Sequence, residues 1–149
     1  MSEINKVVAH FLDGKLMKGT TQDFLPNKEV FHLLPVDGTP SQAVRCRDLK
    51  ALYFVRELDG NPNRTNLRGF VQRDDQGSRG NKLAVRFKDG EMLCGYSLSY
   101  TAERSGFFML PADAGSNNER IFVVRSSTVV VKAGQAAELL AKQVLDEAA

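Results

Sequence analysis

The sequence predicts an all-β chain: two tandem small five-stranded barrels from an internal duplication, followed by a C-terminal α-helix. Three observations carry this. One stretch of sequence recurs at a fixed offset, apolar residues alternate with period two inside each copy, and the spacing turns helical only near the end.

The recurrence comes first. Residues 6–19, from Lys6 to Gly19, align with residues 82–95, from Lys82 to Gly95, at an offset of 76. Phe31 and Phe107, Leu34 and Leu110, Pro35 and Pro111, and Asp37 and Asp113 keep the same offset. Two separate stretches in one register argue for duplication. Beyond them the copies slip by about two residues, which sets Ala51-Leu52-Tyr53 against Val129-Val130-Val131. The organisation expected is a first barrel over 1–58, a basic linker over 59–80, a second barrel over 81–132 and a helix over 133–149.

Inside each unit the pattern is that of strands. Val7, Ala9 and Phe11 alternate with their neighbours, as do Leu83, Val85 and Phe87. Asp13-Gly14 and Asp89-Gly90 follow, a dipeptide that predicts a two-residue hairpin with both central residues at positive φ. Gly19 and Gly95 fall inside the second strand, where a lone glycine signals a bend. The strands of the first unit are expected near 4–12, 15–24, 28–36, 41–47 and 51–56. The outward face of the first strand is Val8, His10 and Leu12 in one copy but Ala84, Arg86 and Lys88 in the other. The apolar version predicts burial against the other barrel, the helix or a second chain, which makes Val8, His10 and Leu12 interface candidates.

The linker reads as turn and loop, with a short apolar strand at Leu67–Val71. Residues 61–88 hold seven basic side chains against two acidic ones, although the whole chain is only +2. Arg68, Arg73 and Arg79 there, and Arg45 and Arg47 flanking Cys46, are candidates for binding an anion or a nucleic acid. Over 135–147, Ala137, Leu140, Ala141 and Val144 form a helical stripe, and Glu138 and Lys142 make a supportive pair one turn apart.

The chemistry points away from catalysis. His10 aligns with Arg86 and His32 with Phe108, so neither histidine is repeated. Asp13 and Asp89 are repeated, and turn formation accounts for them. Zinc-protease, phosphate-loop and dinucleotide motifs are missing, and no carboxylate cluster suggests a metal. Cys46 and Cys94 stand far apart and read as reduced thiols. The expectation is a non-enzymatic binding or adaptor module without a cofactor. It would act in a bacterial cytosol on a protein partner or by self-association, with nucleic acid as the alternative and no membrane.

The pattern apolar-x-apolar-x-Asp-Gly-x-x-x-x-Gly, followed by Val30–Leu34, resembles the first signature of Sm-like proteins, and Val44–Val55 resembles their closing strands. The resemblance covers most of both units and implies Sm/SH3-like barrels. Leu25 and Thr101 stand where that family carries its RNA-contacting aspartate, and Arg47-Asp48 where it carries Arg-Gly. Arg68 to Gly80 resembles the arginine-rich segment of PilZ-type receptors, which implies cyclic-dinucleotide sensing.

Overall fold

The computed structural model describes residues 4–58, 70, 80–98, 100–101, 103–113 and 116–147. Their ten strands form one antiparallel sheet. In chain order they are β1 (Asn5–Phe11), β2 (Leu16–Thr21), β3 (Val30–Pro35), β4 (Gln42–Arg45) and β5 (Leu49–Val55). The second set is β6 (Asn81–Phe87), β7 (Met92–Ser97), β8 (Gly106–Pro111), β9 (Asn118–Val124) and β10 (Thr128–Ala133). Helix α1 (Gln135–Glu147) ends the described chain. Short 3-10 turns at Cys46–Asp48 and Arg125–Ser127 precede β5 and β10.

The strand order is β10-β6-β7-β8-β9-β5-β1-β2-β3-β4. The expectation of two separate closed barrels is corrected here. Among the described residues no ladder joins β4 to β5 or β9 to β10; instead β5 pairs with β9 and makes the two halves one sheet.

The halves nevertheless pair their strands alike. Val7 faces Gly19 and Leu83 faces Gly95; Gly19 faces Pro35 and Gly95 faces Pro111. Phe11 faces Leu49, whereas Phe87 faces Thr128, so the last strands correspond at an offset of 79. The slip between copies is therefore three residues, not two. Leu52 matches Val131 rather than Val130, and an error of one residue would turn every side chain to the wrong face.

The hairpins are also corrected. Gly14 and Gly90 lie at φ 91° and 94°, but among the described residues no other residue type has positive φ. Gly14 donates to the Phe11 carbonyl and Phe11 to that of Lys15, and the second half repeats this with Gly90, Phe87 and Glu91. This is a three-residue loop in which glycine alone takes the left-handed position. Asp13 and Asp89 hold it by accepting the amides of Lys15 and Glu91 at 2.9 and 3.0 Å. Gly19 and Gly95 are needed for close approach: a Cβ on either would sit 2.1 Å from the carbonyl oxygen of Leu34 or Leu110.

Two apolar cores result, and each draws on both halves. One contains Val7, Ala9, Phe31, Leu33, Leu52 and Phe54, completed by Phe122 and Val124 of β9. The other contains Leu83, Val85, Phe87, Phe107 and Met109, completed by Val8, Ala51, Tyr53 and Val55. All seven residues of β5 are buried because both its edges and both its faces are covered. The outward face of β1 thus finds its cover within the chain. Val8 is 8% exposed and packed on the second half, so it offers nothing to a second chain. His10 is half-buried with its ring 4.2 Å from that of Tyr53, and burial lowers its pKa. Leu12 alone of the three is exposed.

Helix α1 matches the span read from the sequence. It buries Ala137, Ala141 and Val144 and packs against β6, β7 and β10.

Candidate functional site: a basic cleft across the junction

Where β5 meets β9, the ends of the strands leave an open cleft of about 1050 Å³. Each half supplies the same two segments. The first half gives the residues entering β3 (Pro26–Val30) and the turn after β4 (Arg45–Arg47). The second half gives those entering β8 (Glu103–Ser105) and the turn after β9 (Val124–Ser126). The segments are tied in an equivalent way: the Cys46 amide donates to the Glu29 carbonyl and the Arg125 amide to that of Ser105, both at 2.9 Å.

The lining is basic around an apolar floor. Lys28, Arg45, Arg47, Arg104 and Arg125 stand against two carboxylates, Glu29 and Glu103, with buried Phe122 and Val124 beneath. Arg45, Arg47 and Arg104 are exposed and Arg125 is half-buried. Lys28 already lies 3.7 Å from Asp23. Asp23 accepts the His32 amide at 2.8 Å and faces the His32 ring at 2.7 Å. Against some burial, these bonds and the Lys28 charge hold its carboxyl down at about 2. The Cys46 thiol borders the cleft, and burial pushes its pKa up, so it stays protonated and a poor nucleophile.

The floor is rigid. The rings of Phe24, Phe31, Phe54, Phe108 and Phe122 meet edge to face at 5.0–6.0 Å, and Arg120 lies over Phe54 and Phe108 at 4.3 and 4.7 Å.

A second polar cluster lies on the other side of the junction. The side chain of Lys50, 11% exposed, reaches from β5 to the β6–β7 loop, 2.7 Å from Asp89 and 2.6 Å from Glu91. Its ammonium also lies 4.7 Å from the Phe87 ring centroid, and the Tyr53 hydroxyl donates to Glu91 at 3.4 Å. Burial disfavours the Lys50 charge, but the two carboxylates outweigh it and raise its pKa; the Lys50 hydrogen bond lowers that of Asp89. Asp89 thus does more than shape a turn.

Of the residues singled out from sequence, the structure brings Arg45 and Arg47 into the cleft. Arg68, Arg73 and Arg79, and the Leu67–Val71 strand apart from Phe70, lie outside the described residues. Sequence reasoning missed Lys28, Arg104 and Arg125. The offset of 76 sets Lys28 against Arg104, a cation repeated between copies, and that repetition was the available signal. Arg125 carries no such signal: at the offset of 79 it matches Cys46, and Arg45 and Arg47 match Val124 and Ser126. Among the described residues no group of His, Cys, Asp and Glu is arranged to hold a metal ion, and no helix is long and apolar enough to cross a membrane.

Residues 3–133 match the model of a family described as "Family of unknown function (DUF6982)", and the chain belongs to that family. No curated protein and no solved structure matches it.

Proposed function

We propose that this chain is a non-enzymatic binding module whose basic cleft takes a phosphate-bearing chain, single-stranded RNA, across the junction of its halves. The observation that carries the reading is the doubled lining, in which two equivalent pairs of segments set five cations along one groove. A ligand that carries charge along its whole length suits a groove lined with cations from both halves. Arginine forks match phosphate oxygens, and the apolar floor offers a dry surface to an unstacked base. Leu25 and Thr101 leave the groove without the aspartates of the Sm-like signature, so backbone contacts would dominate over base reading.

The finer fold reading supports this. The order β5-β1-β2-β3-β4 recurs as β10-β6-β7-β8-β9, with a glycine inside each second strand and a 3-10 turn before each last one. That is what a duplicated Sm/SH3-like module would display. Cys46 and Cys94 are free thiols, which fits a reducing bacterial cytosol.

The test is fluorescence anisotropy of a short labelled single-stranded RNA. Micromolar binding is expected; with four phosphates contacted, affinity falls roughly fifty-fold between about 50 and 200 mM salt. Arg47→Glu with Arg104→Glu should abolish it. No binding at low salt, or binding indifferent to those substitutions, would remove this reading and favour an adaptor acting on a protein partner.

A further inference from the structure

The halves differ in what covers the outward face of their first and last strands. In the first half that face carries Val8, paired with Tyr53, together with Ala51 and Val55, all packed on the second half's core. The equivalent residues of the second half are Ala84, paired with Lys132, and Val130. Ala84 has no exposure, yet it belongs to neither apolar core. It shares its face of β6 with Lys82, whose ammonium binds Glu138 of α1. Helix α1 therefore lies on the second half where the second half lies on the first. Gly134, at φ 64°, starts the reversal that brings it there and donates to the Lys82 carbonyl.

The strand edges are arranged to match. Inside the chain the last strand of one half, β5, pairs with the fourth strand of the other, β9. Among the described residues the edges left open are a fourth strand, β4, and a last strand, β10. They are complementary in kind but lie at opposite ends of the sheet, so they can meet only between copies. We propose that α1 is a cap: it occupies the place of a third half and holds off a second copy of this chain, whose β4 would otherwise pair with β10.

The register of that pairing follows from the internal one. Ala51 with Val123, Leu52 with Phe122 and Tyr53 with Ile121 become Val130 with Val44, Val131 with Ala43 and Lys132 with Gln42. The open join is weaker than the internal one, because β4 presents Ala43 and Arg45 where β9 presents Phe122 and Val124. A single docked helix is then enough to prevent it. The contact is heterologous, so released copies would add head to tail.

The experiment uses the full chain with Glu138→Lys and Ala141→Glu, which oppose the Lys82 contact and the buried stripe. Sedimentation velocity over a concentration series should show species of twice the mass of one chain and above, where the parent stays monomeric. Adding Ala43→Pro should restore the monomer. The Cys46 amide bonds toward β3, so by alternation the Ala43 amide points out of the edge, and proline removes it without loss to β3. Glu138→Lys alone leaves the apolar packing in place and guards against misfolding of the double variant. It should move the same equilibrium less far. Monomers from both variants, with hydrogen exchange showing α1 released, would overturn the proposal. So would association that Ala43→Pro leaves unchanged, since that is adhesion of a bared apolar face rather than edge pairing.

Discussion

Two strands built on one pattern, β5 and β10, have opposite fates. β5 reads Leu49-Lys50-Ala51-Leu52-Tyr53-Phe54-Val55 and is buried at every position, including its lysine. β10 reads Thr128-Val129-Val130-Val131-Lys132-Ala133 and has no fully buried residue. Each pairs with the first strand of its own half, but among the described residues only β5 gains a second neighbour, in β9. Position in the sheet, more than strand propensity, decided which residues each could carry. An interior strand takes large apolar side chains on both faces. An edge strand takes β-branched residues and a charge that discourages further pairing.

The same contrast runs through the hairpin loops. Asp13-Gly14-Lys15 and Asp89-Gly90-Glu91 fold alike, yet among the described residues only the second is gripped from the other half, by Lys50. The position equivalent to Lys50 is Val129, which is 63% exposed. One junction is thus reinforced by charge, and its would-be counterpart at the open end is not.

The largest expected effect would break the equivalence of the halves. Gly19→Ala and Gly95→Ala should each cost about 3 kcal/mol, because the new methyl meets a backbone carbonyl that cannot give way. Both cores draw on both halves, so either variant should lower the midpoint of one cooperative transition in chemical denaturation. Two separable transitions would show halves that fold independently.

Next comes the charged tie. Lys50→Met should cost about 1–2 kcal/mol, while Lys15→Met, on the exposed loop, should stay within about 0.5 kcal/mol. The pH dependence has a definite sign. The folded pKa of Asp89 is depressed, so its contribution is full above the ordinary carboxylate range and lost as pH falls through the folded value. The folded pKa of Lys50 is raised, so its contribution holds through neutral pH and is lost only in strong alkali. Urea midpoints across this range should converge for parent and Lys50→Met at both extremes.

The smallest effect belongs to the first half alone. Asp23→Asn should cost about 1 kcal/mol at neutral pH, after allowance for a carboxylate about a third exposed. The folded pKa lies at about 2, so parent and variant should converge as the acid limb is followed down through that value. The second half has Phe108 in place of His32, so the Asp23–His32 contact has no counterpart there.

Much of this was legible in the sequence. The recurrence of residues 6–19 at 82–95, the positions of the strands and the helix over 135–147 are all readable from periodicity and an offset, without knowledge of the fold. What escaped was long-range. The β5–β9 pairing joins residues about seventy apart, and no local pattern announces it, although the unbroken apolar run of β5 marked a strand covered on both faces. The burial of Val8 was foreseen as one of three choices, and only the fold selected among them. In the cleft, Arg45 and Arg47 were visible as charges on one strand face. Arg104 and Arg125 join them only because two distant segments meet at the junction.

The most direct test of one site built by both halves is amide chemical-shift mapping of the isotope-labelled chain with short single-stranded RNA. Shifts are expected at 26–30 and 45–47 together with 103–105 and 124–126, saturating at a single concentration. Shifts confined to one half, or to residues 61–79 between them, would contradict it.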